Sequence, residues 1–183
     1  MAFDGIVTKK ICAELQNCLI GGKVNKVFEP NKNEIILGIY SHGINYALNL
    51  SIASDSYRLN LTTHQKQNPL NAPGFCMLLR KHIIGSKIRK IYTIGLERII
   101  YMELECYNEL NDLVIRKLII ELMGKHSNII LCNENNIIID TLKHFDNNVR
   151  ELLPAHEYVF APITKVSFLE LTNFDKFLEI FNN

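Results

Sequence analysis

The sequence predicts an α+β domain in which antiparallel strands dominate and two helices punctuate them. Several runs alternate apolar and polar residues with a period of two, two separate stretches repeat apolar residues at helical spacing, and no β-α-β alternation occurs. Strands lie on both sides of the second helical stretch, so two antiparallel sheets are expected.

The first helix follows from Val7, Ile11, Leu15, Cys18 and Leu19, which share one helical face until Gly21-Gly22 stops the pattern, giving a span of about 5–20. Strand-like runs then cover Lys23 to Phe28, Glu34 to Tyr40, Ile44 to Ser51 and Tyr57 to Thr63, with Ser41-His42-Gly43 as a hairpin turn. A polar loop over 64–72 leads to Pro73, which suits the first turn of a helix. Phe75, Leu78, Leu79, His82 and Ile83 form the apolar stripe of that second helix, which ends at Gly85 and shows Arg80 and Lys81 on another face. Strands return at Ser86 to Ile94, Arg98 to Cys106, Asp112 to Leu122, Asn128 to Cys132 and Asn136 to Leu142, with a tight turn around Gly124-Lys125-His126-Ser127. Ile100, Met102, Leu104 and Cys106 share one face, opposite Tyr101, Glu103 and Glu105. Arg98 has the parity of the apolar face at the strand's mouth, so its guanidinium is expected to reach solvent or pair with a carboxylate. An apolar stretch, Phe168-Leu169-Leu171 and Phe174-Phe177-Leu178-Phe181, reads as a last helix. The expected division is a domain over 1–162 and, over 163–183, the truncated start of a following helical region.

With 48% hydrophobic and 21% charged residues in 183, the chain can bury a core and is not disordered. No uncharged apolar run approaches the roughly 18–20 residues of a membrane span, and Met1-Ala2-Phe3-Asp4 lacks a signal peptide's basic-then-apolar layout, so an intracellular protein with no membrane partner is expected. The five Cys, at 12, 18, 76, 106 and 132, contain no C-x-x-C pair and read as small apolar fillers rather than disulfides or zinc ligands. The six His stand at least 12 residues apart, so no local metal cluster is expected. No phosphate-loop, dinucleotide, zinc-protease or nucleophile-elbow motif occurs, and the sequence names no nucleophile, base or cofactor.

The net charge of +1 conceals a division. Residues 1–90 carry 12 Lys/Arg against 5 Asp/Glu, whereas residues 91–183 carry 8 against 14. The densest basic stretch, Arg80-Lys81-His82 with Lys87, Arg89 and Lys90, has no acidic residue from 80 to 90 and reads equally as an anion-binding stripe or as a solvated helix end and strand start.

Five stretches, in order, resemble the NFACT N-terminal domain family, which includes bacterial fibronectin-binding protein A and the ribosome quality-control factor RqcH. They are Phe3-Asp4-Gly5; Pro73 to His82 with Gly85; Glu97-Arg98-Ile99; Leu122 to Leu131; and Val149 to Pro154 with Tyr158. The resemblance implies a β-sandwich flanked by helices, similar to the N-terminal domain of formamidopyrimidine-DNA glycosylases. Those enzymes attack with an N-terminal proline amine beside a glutamate; Ala2-Phe3 stands here, so glycosylase chemistry is not expected and the chain is read as no enzyme, with no cofactor. The family resemblance further implies a cytoplasmic module that binds tRNA and the large ribosomal subunit holding peptidyl-tRNA, in support of untemplated alanine tailing. The family's older name implies an alternative, a surface adhesin with fibronectin as partner. The family's tRNA-recognition residues fall on Asp4, Glu97 and Arg98, Glu97 replacing the usual Asp. Arg80, Lys81, Lys87, Arg89, Lys90 and Lys125 are candidate phosphate contacts. Plainer roles compete with these: Asp4 as a helix cap, Glu97-Arg98 as a turn-end ion pair, His82 as a hydrogen-bonded core residue, and Lys125-His126-Ser127 as a polar turn.

Overall fold

The structure, a computed structural model, describes residues 3–64, 66–147 and 150–160. The expected last helix and the boundary between 162 and 163 lie outside the described residues.

Helix α1 (Gly5–Leu19) is followed by strands β1 (Lys23–Asn31), β2 (Glu34–Ser41), β3 (Ile44–Ser51) and β4 (Arg58–Leu61). Helix α2 (Gly74–Ile83) is followed by β5 (Lys87–Tyr92), β6 (Ile99–Tyr107), β7 (Leu113–Glu121), β8 (Asn128–Cys132) and β9 (Ile138–Thr141). A short 3₁₀ turn, Gly124–His126, occupies the expected tight turn before β8. The class is as expected, α+β with antiparallel pairing throughout. The two meanders are not separate sheets, however, but one nine-stranded ladder in the order β4-β3-β2-β1-β5-β6-β7-β8-β9, joined through the single register pair Lys23↔Lys87. That join is non-local and has no periodic signature.

Both halves share one apolar core, with Leu37, Leu48 and Leu50 from one and Met102, Leu104, Leu118 and Ile120 from the other, together with the inward faces of the helices. The buried face of α1 is centred on Thr8, Cys12, Leu15 and Leu19, a register one position from the expected stripe at its start. Thr8 can be buried there because its hydroxyl donates to the Asp4 carbonyl at 2.7 Å. Likewise α2 buries Cys76, while His82 is only half-buried and makes no hydrogen bond among the described residues, contrary to a core role. Four of the five free cysteines are buried, as fillers should be. His42 (φ 48°) and Gly43 (φ 82°) make the tight hairpin turn whose handedness matches strand twist.

The join between the halves has a two-fold character. Both helices end in a Gly at nearly the same φ, 83° at Gly21 and 84° at Gly85. The Gly21 and Gly85 amides donate across to the carbonyls of Ile88 and Val24, at 2.9 and 2.8 Å, and those of Val24 and Ile88 donate to Ser86 and Gly22, at 3.0 and 2.8 Å. Cys12, Leu15, Leu19, Gly21, Lys23, Val24, Val27 and Phe28 recur, 64 positions on, as Cys76, Leu79, Ile83, Gly85, Lys87, Ile88, Ile91 and Tyr92. Register shifts fall at matching places, between Val24 and Lys26 and between Ile88 and Lys90. The domain is a helix-and-meander unit used twice.

A second, smaller core lies on the outer face of β6–β9, where Leu152 and Tyr158 cover Ile99, Tyr101, Ile119, Ile130, Cys132 and Ile138. Leu152 belongs to a two-stranded hairpin, β10 (Phe145–Asn147) with β11 (Arg150–Leu152), which short, weakly alternating runs do not announce.

Candidate nucleic-acid interface

Asp4 ends the extended lead-in to α1 and accepts the Val7 amide on Oδ1 at 2.9 Å, so it is the helix N-cap. The residue behind it, Gly5, lies so close to the loop between β5 and β6 that a Cβ there would come within 1.9 Å of the Leu96 carbonyl oxygen. Only glycine permits that approach. It brings Asp4 within one residue of a backbone contact that Glu97 and Arg98 follow directly. Farther along, α1 stays fixed to β5, with Gln16 donating to the Ile91 carbonyl at 2.7 Å.

Glu97 is half-buried, and its carboxylate has no partner among the described residues. Its backbone is held: its amide donates to Ile94 and its carbonyl accepts the Thr93 hydroxyl, both at 3.0 Å. Arg98 precedes β6 and, half-buried, reaches the Tyr57 hydroxyl at 3.5 Å; no carboxylate pairs with it among the described residues, so the turn-end ion pair does not form. Tyr57 meets the edge of the Phe3 ring, centroids 6.4 Å apart, and lies against Gly124, where a Cβ would be 3.9 Å from the ring. The two segments at 3–5 and 96–98 and the turn at 124–126 therefore converge around Tyr57. Tyr57 enters the sequence reading only as a strand residue, because nothing local marks a tyrosine that joins three distant segments.

The candidate phosphate contacts divide. Lys125 is exposed on the 3₁₀ turn beside this neighbourhood. Arg80 donates its Nε to the Val27 carbonyl at 3.0 Å, and Lys81 pairs with Glu109 at 2.7 Å. Arg89 pairs with Glu105 at 3.2 Å, Lys90 with Glu103 at 3.7 Å, and Lys87 stands opposite Glu105 in the ladder. The basic half and the acidic half thus meet across β5 and β6, where exposed pairs of this kind contribute little to stability and remain open to exchange.

Behind Arg98 sits a buried group absent from the sequence reading. Glu121 pairs with Ile99 in the ladder, and the next amide, Leu122, donates to the Arg98 carbonyl at 2.8 Å. The fully buried Glu121 carboxylate accepts two guanidinium nitrogens of Arg150 and the Tyr158 hydroxyl, the latter at 2.7 Å. Arg150 also lies over the Tyr158 ring at 5.2 Å. Burial foremost, then the neighbouring Glu121 charge, pushes the Tyr158 hydroxyl far above its ordinary range, so it stays a donor. Arg150 and Tyr158 lie in a stretch that carries the resemblance, and this network is what they do: they fasten the 150–160 segment over the strands that bear Arg98.

Among the described residues no cluster of His, Cys, Asp or Glu could hold a metal ion, and no helix is long and apolar enough to cross a membrane. The site offers the Arg98 guanidinium beside Tyr57 and Phe3, with Asp4 and Glu97 on the adjoining backbone segments. A guanidinium fork can grip a phosphate or a base edge, and carboxylates can accept from base amino groups or ribose hydroxyls.

The family described as NFACT N-terminal and middle domains matches residues 4–183, and the chain belongs to that family. It is 41% identical over 180 residues to the protein named Rqc2 homolog RqcH of Bacillus subtilis (strain 168), covering 96% of this chain and 32% of that protein. An archaeal Rqc2 homolog from Methanocaldococcus jannaschii is 34% identical over 154 residues, covering 81% of this chain and 22% of its own. In three dimensions the chain resembles the N-terminal domain of fibronectin-binding protein PavA from Streptococcus pneumoniae, with a TM-score of 0.89 and 33% identity over 100% of this chain and 69% of that one. The chain thus spans about a third of its bacterial relative.

Proposed function

We propose that this chain is the N-terminal, tRNA-binding module of a ribosome quality-control factor. It acts in the cytoplasm on a large ribosomal subunit that still holds peptidyl-tRNA and supports untemplated alanine tailing of the stalled chain. It works by binding, without a cofactor, and peptide bonds are made by the ribosome. Arg98 grips phosphate or a base edge, Asp4 and Glu97 accept hydrogen bonds from base or ribose, and Lys125 adds phosphate attraction. The observation that supports this reading is the close approach of the segments bearing Asp4 and Glu97-Arg98 at the Gly5–Leu96 contact, in a chain 41% identical to a protein named Rqc2 homolog RqcH.

The test is Arg98→Ala in the full-length protein. The expected outcome is a loss of tRNA affinity of about tenfold or more, as for a removed charge-assisted contact, with a matching loss of tail synthesis. Unchanged binding and tailing would overturn the assignment. The second reading, a fibronectin-binding surface protein, draws on the naming of the pneumococcal structure. Cell fractionation separates the two: cofractionation with large subunits and absence from the cell wall supports the first, and a wall-bound pool that binds fibronectin supports the second.

A further inference from the structure

The opposite end of β6 and β7 from Arg98 carries a cationic cleft, roughly 20–30 Å away along the strands at ~3.3 Å per residue. It has a volume of about 410 Å³ and is lined by Lys81 and His82 from the last turn of α2, Tyr107 at the end of β6, Asn108, Glu109 and Leu110 from the β6–β7 turn, and Arg116 from β7. A helix end accounts for Lys81 and His82, since cations suit the last turn. It does not account for Arg116.

Arg116 stands opposite Leu104 with the parity of Leu118 and Ile120, so its side chain starts from the core face. Its Nε is buried without a hydrogen-bond partner, and no acceptor or carboxylate engages its guanidinium among the described residues. Folded proteins rarely leave a buried donor unmade, and the Nε of this half-buried side chain is one. Asn108 cannot serve: its amide oxygen already accepts the Leu110 and Asp112 amides at 2.9 and 2.8 Å, and its amide nitrogen donates to Asp112. Glu109 is engaged by Lys81 at the rim, both side chains largely exposed. The field in the cleft is positive: burial, then Arg116 and Lys81, hold the His82 imidazole toward its neutral form, with Glu109 alone opposing.

We propose that this cleft binds a phosphate group, with the Arg116 fork on two oxygens and Lys81 and His82 on the others. A carboxylate presents two oxygens, both lying in the plane of the fork, whereas a phosphate presents further oxygens out of that plane to donors arriving from α2. The Lys81–Glu109 pair, exposed and weak, is displaced as the phosphate enters. The phosphate belongs either to an RNA backbone or to a small phosphorylated molecule. This site stands apart from the tRNA reading of Arg98.

The experiment titrates inorganic phosphate into the 183-residue protein at constant ionic strength, with chloride as control, following the Arg116 Nε–H and His82 ring signals by NMR. Saturable shifts are expected with phosphate and not with chloride. Arg116→Gln is expected to weaken binding about tenfold or more. Lys81→Ala, at an exposed position that leaves folding intact, weakens it about threefold, and Glu109→Gln tightens it by removing a competitor. Displacement of the bound phosphate by a single-stranded oligoribonucleotide identifies an RNA backbone, and displacement by a sugar phosphate alone identifies a small molecule. Absent saturation, equal shifts with chloride, full affinity in Arg116→Gln, or failure of both competitors would overturn the proposal. Arg98→Ala leaves this titration unchanged, so the two readings stand or fall separately.

Discussion

Gly5→Ala tests the geometry on which the tRNA site depends. The added Cβ would sit 1.9 Å from the Leu96 carbonyl oxygen, 2.8 Å from its carbonyl carbon and 2.9 Å from its Cβ. With a relaxed C···O contact near ~3.3 Å, the start of α1 and the 94–98 loop must separate by roughly 1.4 Å. Overpacking of this kind costs about 1–3 kcal/mol. Alanine's better helix propensity returns up to ~1 kcal/mol, less at the first helical position than in the interior. The net expectation is a destabilisation of about 1–2 kcal/mol, with Tm falling by about 2–4 °C per kcal/mol for a chain of this size. Urea denaturation measures the first effect, and tRNA binding at a temperature where the variant is still folded measures the second. Binding should fall by more than the small unfolded fraction explains, because Asp4 has moved away from Glu97 and Arg98. Leu96→Ala should not rescue the variant, since every clashing atom survives in alanine. Wild-type stability and wild-type affinity in Gly5→Ala would refute the reasoning.

Further expectations concern the supports around the site. Glu121→Gln breaks a buried ion pair and should cost about 3–5 kcal/mol, with amide exchange rising first at Ile138, Ala155 and Tyr158, which tie the 150–160 segment to β9 and the turn before it; wild-type protection there would count against the network. Glu29, buried on β1, accepts the Cys76 amide at 3.1 Å and caps α2 from outside, because Pro73 offers no side-chain cap. Glu29→Ala should therefore cost about 0.5–2 kcal/mol in a denaturant titration, and Glu29→Gln, which keeps an acceptor, clearly less. His82 has a folded-state pKa below its ordinary 6.5, through burial first and then Arg116 and Lys81. Below pH 6.5 the unfolded chain therefore takes up a proton that the folded one resists, and stability declines as pH falls toward the folded-state value. That slope should flatten in His82→Gln; an unchanged slope would show that another group controls it.

Most of the fold is legible in the chain because strands and helices announce themselves through periodicity. β3, α2 and β8 fall at or close to their expected spans, and Asp4 caps the helix that its residue type and position assign to it. What periodicity misses is contact between distant segments. The Lys23↔Lys87 join, the Tyr57 ring among three loops, and Glu121 with Arg150 and Tyr158 all depend on residues far apart in sequence. The doubled unit is written in the sequence at an offset of 64 positions, far outside the 2 and 3.6 to which strand and helix patterns respond. The basic stripe shows a different limit: composition counts charges but not their partners, and Arg89 and Lys90 prove to be paired with Glu105 and Glu103.

The doubled unit has an evolutionary reading. Two copies begin with the same interface to offer, yet here the ends have diverged in task. Across the second strand of each copy the offset becomes 65, with Leu37 opposite Val27 as Met102 is opposite Ile91, so Glu97 and Arg98 correspond to Lys32 and Asn33 in the first copy. Asn33 is held in a tight turn: its amide donates to Asn31 Oδ1 at 3.0 Å and its carbonyl accepts the Ile52 amide at 2.8 Å. Arg98 is half-buried, and among the described residues its guanidinium meets only the Tyr57 hydroxyl, at 3.5 Å. The first copy joins these two strands by a tight turn and the second by the longer loop 93–98, so a search for how specificity shifts among such domains should begin with the loop after the second copy's first strand.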